Sequence, residues 1–181
     1  DPASTVLQDI IDHPVMKENN VRIISEPWTA AGSGPGIGGF PTSTADTAFA
    51  WSEWNAHYRD WWRSFINNCN WEGCAGSSDA KFVLNSTEGV DGGNVMTGSS
   101  GVYGWNGRKP YHSINFVTVH DGFTMYDLFS YEERQNECGL LNPICCDDPF
   151  SAWCDTESGE EHNRSYNWTS ETMKRQQMRN L

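Results

Sequence analysis

Two acidic residues stand at the ends of β-branched runs in this sequence. Glu26 closes Val21-Arg-Ile-Ile-Ser25, and Asp121 follows Ser113-Ile-Asn-Phe-Val-Thr-Val119 and His120. Short runs of this composition read as buried parallel strands. In a parallel α/β arrangement the carboxyl ends of the strands converge on one face, so carboxylates carried there meet in one pocket. Cleaving a glycosidic bond needs such a set: one group protonates the leaving oxygen, and another attacks or stabilises the oxocarbenium-like centre. A plainer reading stays open from spacing alone, because strand ends often carry Asp or Glu as helix caps. The triplet His120-Asp-Gly122 is likewise a common turn composition.

The elements that must position these residues alternate along the chain. Val6, Leu7, Ile10 and Ile11 fall at helical spacing, which predicts a helix over Thr5 to Met16, with Ser4 or Thr5 as cap and Pro14 interrupting its end. The first strand, Val21 to Ser25, comes next. Ala30 to Thr47 is dominated by Gly, Ser, Thr and Pro and reads as a long loop. Its Gly32-Ser-Gly-Pro-Gly-Ile-Gly-Gly39 run lacks the Gly-Lys-Ser/Thr ending of a P-loop and the spaced glycines of a dinucleotide fold, so phosphate binding is discounted. Ala48 to Trp54 reads as a second strand, and Ala56 to Ile66 as the helix after it, with Tyr58, Trp61, Trp62 and Phe65 at helical intervals. Residues 67 to 110 read as loop, Ser113 to Val119 as the third strand, and Phe123 to Gln135 as a short helix. A Cys-rich insertion occupies residues 138 to 160, and Thr169 to Leu181 reads as a helix capped by Ser170 or Thr169. The pattern is α/β with no internal repeat or boundary. It amounts to about half of a (β/α)₈ barrel, since a chain of 181 residues falls short of the about 250 that a whole barrel takes. Both ends, Asp1-Pro2 and Met178-Arg-Asn-Leu181, read as cuts through a longer polypeptide.

Composition narrows the ligand. With 24 acidic against 12 basic residues the formal charge is −12, which argues against a nucleic-acid partner, whose phosphates need Lys and Arg. A neutral polymer such as a glucan is compatible. Nine Trp and eight Phe supply flat rings that suit the apolar faces of sugars, although most rings of this kind serve as core. No run is long and apolar enough to span a bilayer. Six Cys, even in number and loop-placed, favour local disulfides and an oxidising compartment, extracellular or periplasmic. Cys69 and Cys74 are the simplest pair to suggest; none of the gaps forms the Cys-x-x-Cys of a structural zinc site. Asn85-Ser-Thr87, Asn163-Arg-Ser165 and Asn167-Trp-Thr169 fit the glycosylation sequon.

The literal residues are more specific than their spacing. Ile23-Ile-Ser-Glu-Pro-Trp28 resembles the segment around the general acid/base of the α-amylase clan, in its debranching-enzyme form. Ser113-Ile-Asn-Phe-Val-Thr-Val-His-Asp-Gly122 resembles the segment carrying that clan's His-Asp pair. Between and after them, Gly39-Phe-Pro41, Trp51-Ser-Glu-Trp-Asn-Ala-His-Tyr-Arg-Asp60, Arg108-Lys-Pro-Tyr-His-Ser-Ile-Asn115 and Arg175-Gln-Gln-Met-Arg-Asn180 are similar to isoamylase sequences, in collinear order. The resemblance implies a part of the catalytic barrel of an isoamylase-type enzyme, acting on α-1,6 branch linkages of glycogen or amylopectin. It implies that Glu26 is the general acid/base, with a pKa raised by burial beside Trp28, which would also touch substrate. Asp121 would bind the hydroxyls of the sugar at the cleaved bond and help distort it, and His120 would donate a hydrogen bond to the same sugar.

The clan's nucleophilic Asp, in a Phe-Arg-x-Asp-type segment, has no counterpart here, so the chain is expected to be inactive alone. Gly34-Pro-Gly-Ile37 stands where relatives often carry Tyr, and Ala56-His57 replaces the commoner Gly-Lys. No organic cofactor is implied. Some relatives bind structural calcium, but no Asp-x-Asp-x-Asp loop occurs here. Two alternatives stay open: an α-1,4-acting amylase or transglucosylase on the same fold, or a catalytically inactive amylase-like module that binds glucan.

Overall fold

The computed structural model describes residues 2–28, 36–67, 69–70, 73–74, 92–120, 122–133 and 163–181. The chain divides into two compact units, one of Asp1–Trp62 with Ala80–Val117 and the other of Arg63–Asp79 with Thr118–Leu181.

In the first unit, α1 (Pro2–Asp12) starts at a proline, whose fixed φ and missing N–H suit the first turn of a helix. The expected cap at Ser4 or Thr5 therefore lies inside the helix. The expected single helix to Met16 is two: Pro14 ends α1 and opens α2 (Pro14–Glu18), which His13 caps by accepting the Val15 N–H at Nδ1. The apolar stripe of α1 supplies a core in which Ile11, Phe40 and Trp51 are buried, with Leu7, Ile10, Ile23 and Phe49 packed around them. Asp12 ties the helix end to the following loop. Its carboxylate accepts from the Gln8 side chain at 2.8 Å and from the Thr44 N–H at 2.8 Å, and the Gln8 bond leads the causes that hold its pKa down at about 2.

Three parallel strands follow: β1 (Ile24–Ser25), β2 (Ser52–Asn55) and, later in the chain, β5 (Ser113–Asn115), in the order β1-β2-β5. All three are shorter than the runs expected from the sequence, because a strand extends only where a neighbour pairs with it. Val21 turns back instead, its N–H donating to the Met16 carbonyl at 2.8 Å beyond an Asn20 with positive φ. Ala48–Ala50 belong to a turn rather than to the second strand: the Phe49 N–H donates to Asp46 O, and only a single bridge joins Ala50 to Thr42. Phe116 to His120 continue past β5 without ladder pairing.

Asn55 ends β2 and begins α3 (Ala56–Asn67), close to the expected helix, and its Oδ1 accepts the Tyr58 N–H at 3.1 Å as a cap. Trp61 on α3 is buried against Val95, with Tyr58 and Trp62 beside it. Val95 lies on α4 (Gly92–Met96), which precedes α5 (Ser100–Tyr103) and 3₁₀ turns at Gly104–Asn106 and Pro110–His112. The expected loop from 67 to 110 thus holds short helical pieces. Glycines let them pack closely: a Cβ on Gly92 would lie 2.4 Å from the Trp61 ring.

The second unit contains a hairpin of β3 (Cys69–Asn70) and β4 (Gly73–Cys74), whose backbone register sets Cys69 opposite Cys74. The other four Cys lie outside the described residues. The helix expected from Phe123 to Gln135 is, among the described residues, only a 3₁₀ turn at Asp127–Phe129, with Leu128 and Phe129 buried. Residues 163–168 run beside it, the N–H groups of Tyr166 and Trp168 donating to Leu128 O and Phe129 O. Asn163 is buried and its side chain accepts the Phe123 N–H, so this sequon is closed in the folded chain, whereas Asn167 is exposed. Ser170 caps α6 (Glu171–Asn180) by accepting the Met173 N–H at 3.2 Å. Among the described residues, no helix is long and apolar enough to cross a membrane.

Candidate active site

The carboxyl ends of the parallel strands lie along one edge of the sheet, and there the first unit gathers its polar and aromatic groups. Glu26 follows β1 directly. It is exposed, which corrects the expected burial beside Trp28: β1 is an outer strand of the sheet, and Glu26 extends beyond its last paired residue. Pro27 is buried and Trp28 half-buried. The Trp28 ring stands 6.4 Å from Trp54 on β2 and 6.5 Å from Phe116 just past β5, and those two stand 5.7 Å apart. Trp54 on β2, Trp28 beyond β1 and Phe116 beyond β5 thus form one aromatic cluster at the carboxyl edge of the sheet. The guanidinium of Arg59 lies 5.9 Å from the Phe116 ring centre.

Asn55 and Asn115 end the other two strands. Asn55 is wholly buried and donates through Nδ2 to Ser99 Oγ at 2.8 Å and Ser113 Oγ at 2.9 Å. Ser113 Oγ in turn donates to Asn115 Oδ1 at 2.7 Å. The chain of bonds locks β2 to β5 at the edge where Glu26 emerges.

Behind this edge lies an ion pair that sequence reasoning missed. Glu53 on β2 and Arg108 are both fully buried, and Arg108 Nη1 donates to Glu53 Oε1. A wholly buried carboxylate requires such partners. The signal available in the sequence was an acid inside the expected strand Ala48–Trp54, with Trp51 and Trp54 close on either side. What the sequence could not give was the partner 55 residues away. Burial and the charge of Glu53 push the nearby Tyr103 phenol above its ordinary pKa, and the Arg108 guanidinium lies 4.8 Å from the Tyr103 ring centre.

Of the residues singled out from the sequence, Glu26 and Trp28 belong to the first unit. His120 belongs to the second and is exposed, and Asp121 lies outside the described residues. The structure brings Trp28 together with Trp54 and Phe116. Among the described residues, no three His, Cys, Asp or Glu side chains converge as a metal site.

No family model matches the chain. Curated proteins do. An isoamylase of a Flavobacterium species is 33% identical over 165 residues, which cover 90% of this chain and 17% of that protein. The chloroplastic isoamylase SU1 of Zea mays is 33% identical over an alignment of 188 positions, covering 99% of this chain and 19% of that protein. The chain is isoamylase-like. A glycogen operon protein GlgX homolog of Mycobacterium tuberculosis is also 35% identical over 154 residues, covering 85% of this chain and 16% of its own length. The isoamylase-like chain therefore spans less than a fifth of the relatives it matches.

Proposed function

We propose that this isoamylase-like chain is the C-terminal part of the catalytic (β/α)₈ barrel of a debranching enzyme, residues 1–181 forming one portion of a single domain. The enzyme hydrolyses α-1,6-glucosidic branch linkages in glycogen or amylopectin by retaining double displacement. The observation that carries the reading is the collinear likeness to isoamylases over 90–99% of the chain. The sheet supports it: three parallel strands neighbour one another in chain order, as successive strands of a barrel do.

Glu26 protonates the glycosidic oxygen as the bond to the branch breaks, and later takes a proton from the water that releases the covalent intermediate. Its exposure beyond β1 leaves it open to a polymeric substrate, and Trp28 offers an apolar ring beside it. His120 and Asp121 hold the hydroxyls of the sugar at the cleaved bond. Retention requires a second carboxylate about 5–5.5 Å from the first, carried on an earlier strand of the full polypeptide, so the 181 residues alone do not turn over substrate. Six Cys favour an extracellular or periplasmic compartment, whereas the maize and rice relatives are named chloroplastic.

The test uses the full-length polypeptide on amylopectin, pullulan and linear amylose, with Glu26→Gln alongside. Release of linear chains from amylopectin, no cleavage of amylose, and a loss of about 10²–10⁴-fold in kcat for the variant are expected. Amylose cleavage would replace the reading with an α-1,4-acting enzyme. Glucan binding without turnover, unchanged by Glu26→Gln, would replace it with a binding module.

A further inference from the structure

Asparagine triplets of the glycosylation type stand at Asn85, Asn163 and Asn167, and the function proposed above uses none of them. Asn85 lies outside the described residues. The other two stand four positions apart in one segment of the second unit. A transferase that meets one of them meets the other, so what separates them is the fold.

The fold closes Asn163. This residue is 3% exposed, and its Oδ1 accepts the Phe123 N–H at 2.9 Å. Its carbonyl accepts from the buried Arg63 guanidinium at 3.4 Å. A sugar on the amide nitrogen needs open solvent beside it, and this amide is packed in protein.

Asn167 is turned outward by its neighbours. Ser165 is buried and its Oγ donates to the Glu132 carbonyl at 3.1 Å. The N–H groups of Tyr166 and Trp168 reach inward to Leu128 O and Phe129 O, both at 3.0 Å. Trp168 itself is buried, with its indole N–H on Asn67 Oδ1. The Trp168 N–H also donates to Tyr166 O at 3.1 Å, an i to i+2 bond that makes Asn167 the apex of a γ-type turn. With the residues before and after it pinned inward, the apex faces solvent, and Asn167 is exposed. The third residue of its triplet is open as well. Thr169 is exposed, and Ser170 rather than Thr169 caps α6.

We propose that Asn167 carries an N-linked glycan and that Asn163 does not. In the transfer, Asn167 Nδ2 bonds to the anomeric carbon of an oligosaccharide that begins with an N-acetylhexosamine. The bond from that carbon to the diphosphate of its polyprenyl carrier breaks. The carrier leaves as the free diphosphate, and Nδ2 gives up one proton to the transferase. The six Cys favour the oxidising route along which such transfer occurs. Nothing in this proposal depends on the debranching reading.

The experiment takes the full-length polypeptide as isolated from its source and digests it with trypsin. Cleavage after Arg164 leaves Asn163 in the peptide that ends there and Asn167 in the peptide Ser165–Lys174. Release of glycans by a peptide N-glycosidase in heavy-oxygen water marks every asparagine that carried one, and mass spectrometry reads the mark. The mark is expected in Ser165–Lys174 in most molecules and absent from the peptide ending at Arg164. A full-length Thr169→Ala protein from the same source lacks the hydroxyl that the transferase reads and keeps the Ser170 cap, and it is expected to lose the mark. An unmarked Ser165–Lys174 in the wild-type protein overturns the proposal, as does a mark at Asn163 in the folded protein. Retention of the mark in Thr169→Ala overturns it too, because the modification is then not read through the triplet.

Discussion

The indole N–H of Trp168 donates to Oδ1 of Asn67 at 2.9 Å, joining residues 101 positions apart. The amide of Asn67 is used in full on that side of the molecule. Its Nδ2 donates to the carbonyl of Arg164 at 2.9 Å and of Leu128 at 3.3 Å, and the side chain is buried. One residue at the end of α3 thereby holds the 3₁₀ turn at Asp127–Phe129 and the 163–168 segment together.

Replacing Asn67 with Asp is expected to destabilise the second unit by about 2–4 kcal/mol, because the carboxylate loses both donors and leaves carbonyls unpaired in a buried place. Asn67→Leu, which also strands the Trp168 N–H, is expected to do at least as much harm. Urea unfolding followed by Trp fluorescence measures the loss. An Asn67→Asp midpoint equal to wild type would show that water takes the place of the amide.

His112 gives a pH prediction. It is buried, and burial is the largest cause lowering its pKa. Its Nδ1 accepts the Lys109 N–H at 3.0 Å, which fixes the neutral ring with its proton on Nε2. The unfolded chain carries a His of about pKa 6.5. Below that value the unfolded state takes up a proton that the folded ring resists, so the unfolded state binds more protons and stability falls as pH falls. The contribution is intact above about pH 6.5 and declines from there toward the lowered pKa of the folded ring. His112→Asn keeps an acceptor for the Lys109 N–H and has nothing to titrate. Thermal unfolding between pH 7.5 and 5 is expected to show a flatter acid limb in this variant than in wild type.

What was legible in the sequence followed from local rules. The Pro14 break, the helix after Asn55 and the Ser170 cap all depend on residues within a few positions of one another. The strands came out shorter than the expected runs because pairing is a property of the partner, and among the described residues the ladders begin only at Ile24 and Ser52, beyond Val21 and Ala48. Exposure of Glu26 was not readable either: a residue one step beyond a paired strand is buried only by what packs over it. The buried Glu53–Arg108 pair and the Asn67 node join residues far apart in the chain, and no periodicity records such contacts. The helical pieces α4 and α5 hide in Gly-rich sequence because tertiary packing, with Val95 against Trp61, outweighs the low helix propensity of glycine.

The last prediction concerns Asn55, whose side chain serves two elements at once. Its oxygen caps α3 at the Tyr58 N–H, and its nitrogen donates to Ser99 and Ser113. Asn55→Leu removes both functions, and the lost cap alone is worth about 0.5–2 kcal/mol. Asn55→Asp separates them. A protonated Asp has one acceptor and one donor and can imitate the amide, whereas the carboxylate keeps the cap and loses the donor in a site with no exposure. Burial therefore raises the pKa of the introduced acid above the about 3.9 of an unfolded Asp. The folded state then binds the extra proton, so stability conferred by protonation is complete below about pH 3.9 and is lost as pH rises through the raised value. The Asn55→Asp variant should approach wild type in unfolding midpoint as pH falls toward 4 and lag furthest behind it near pH 7. A constant gap between the two across that range would mean that the hydroxyls of Ser99 and Ser113 rotate to donate to the carboxylate, and that the link between β2 and β5 does not depend on the direction of these bonds.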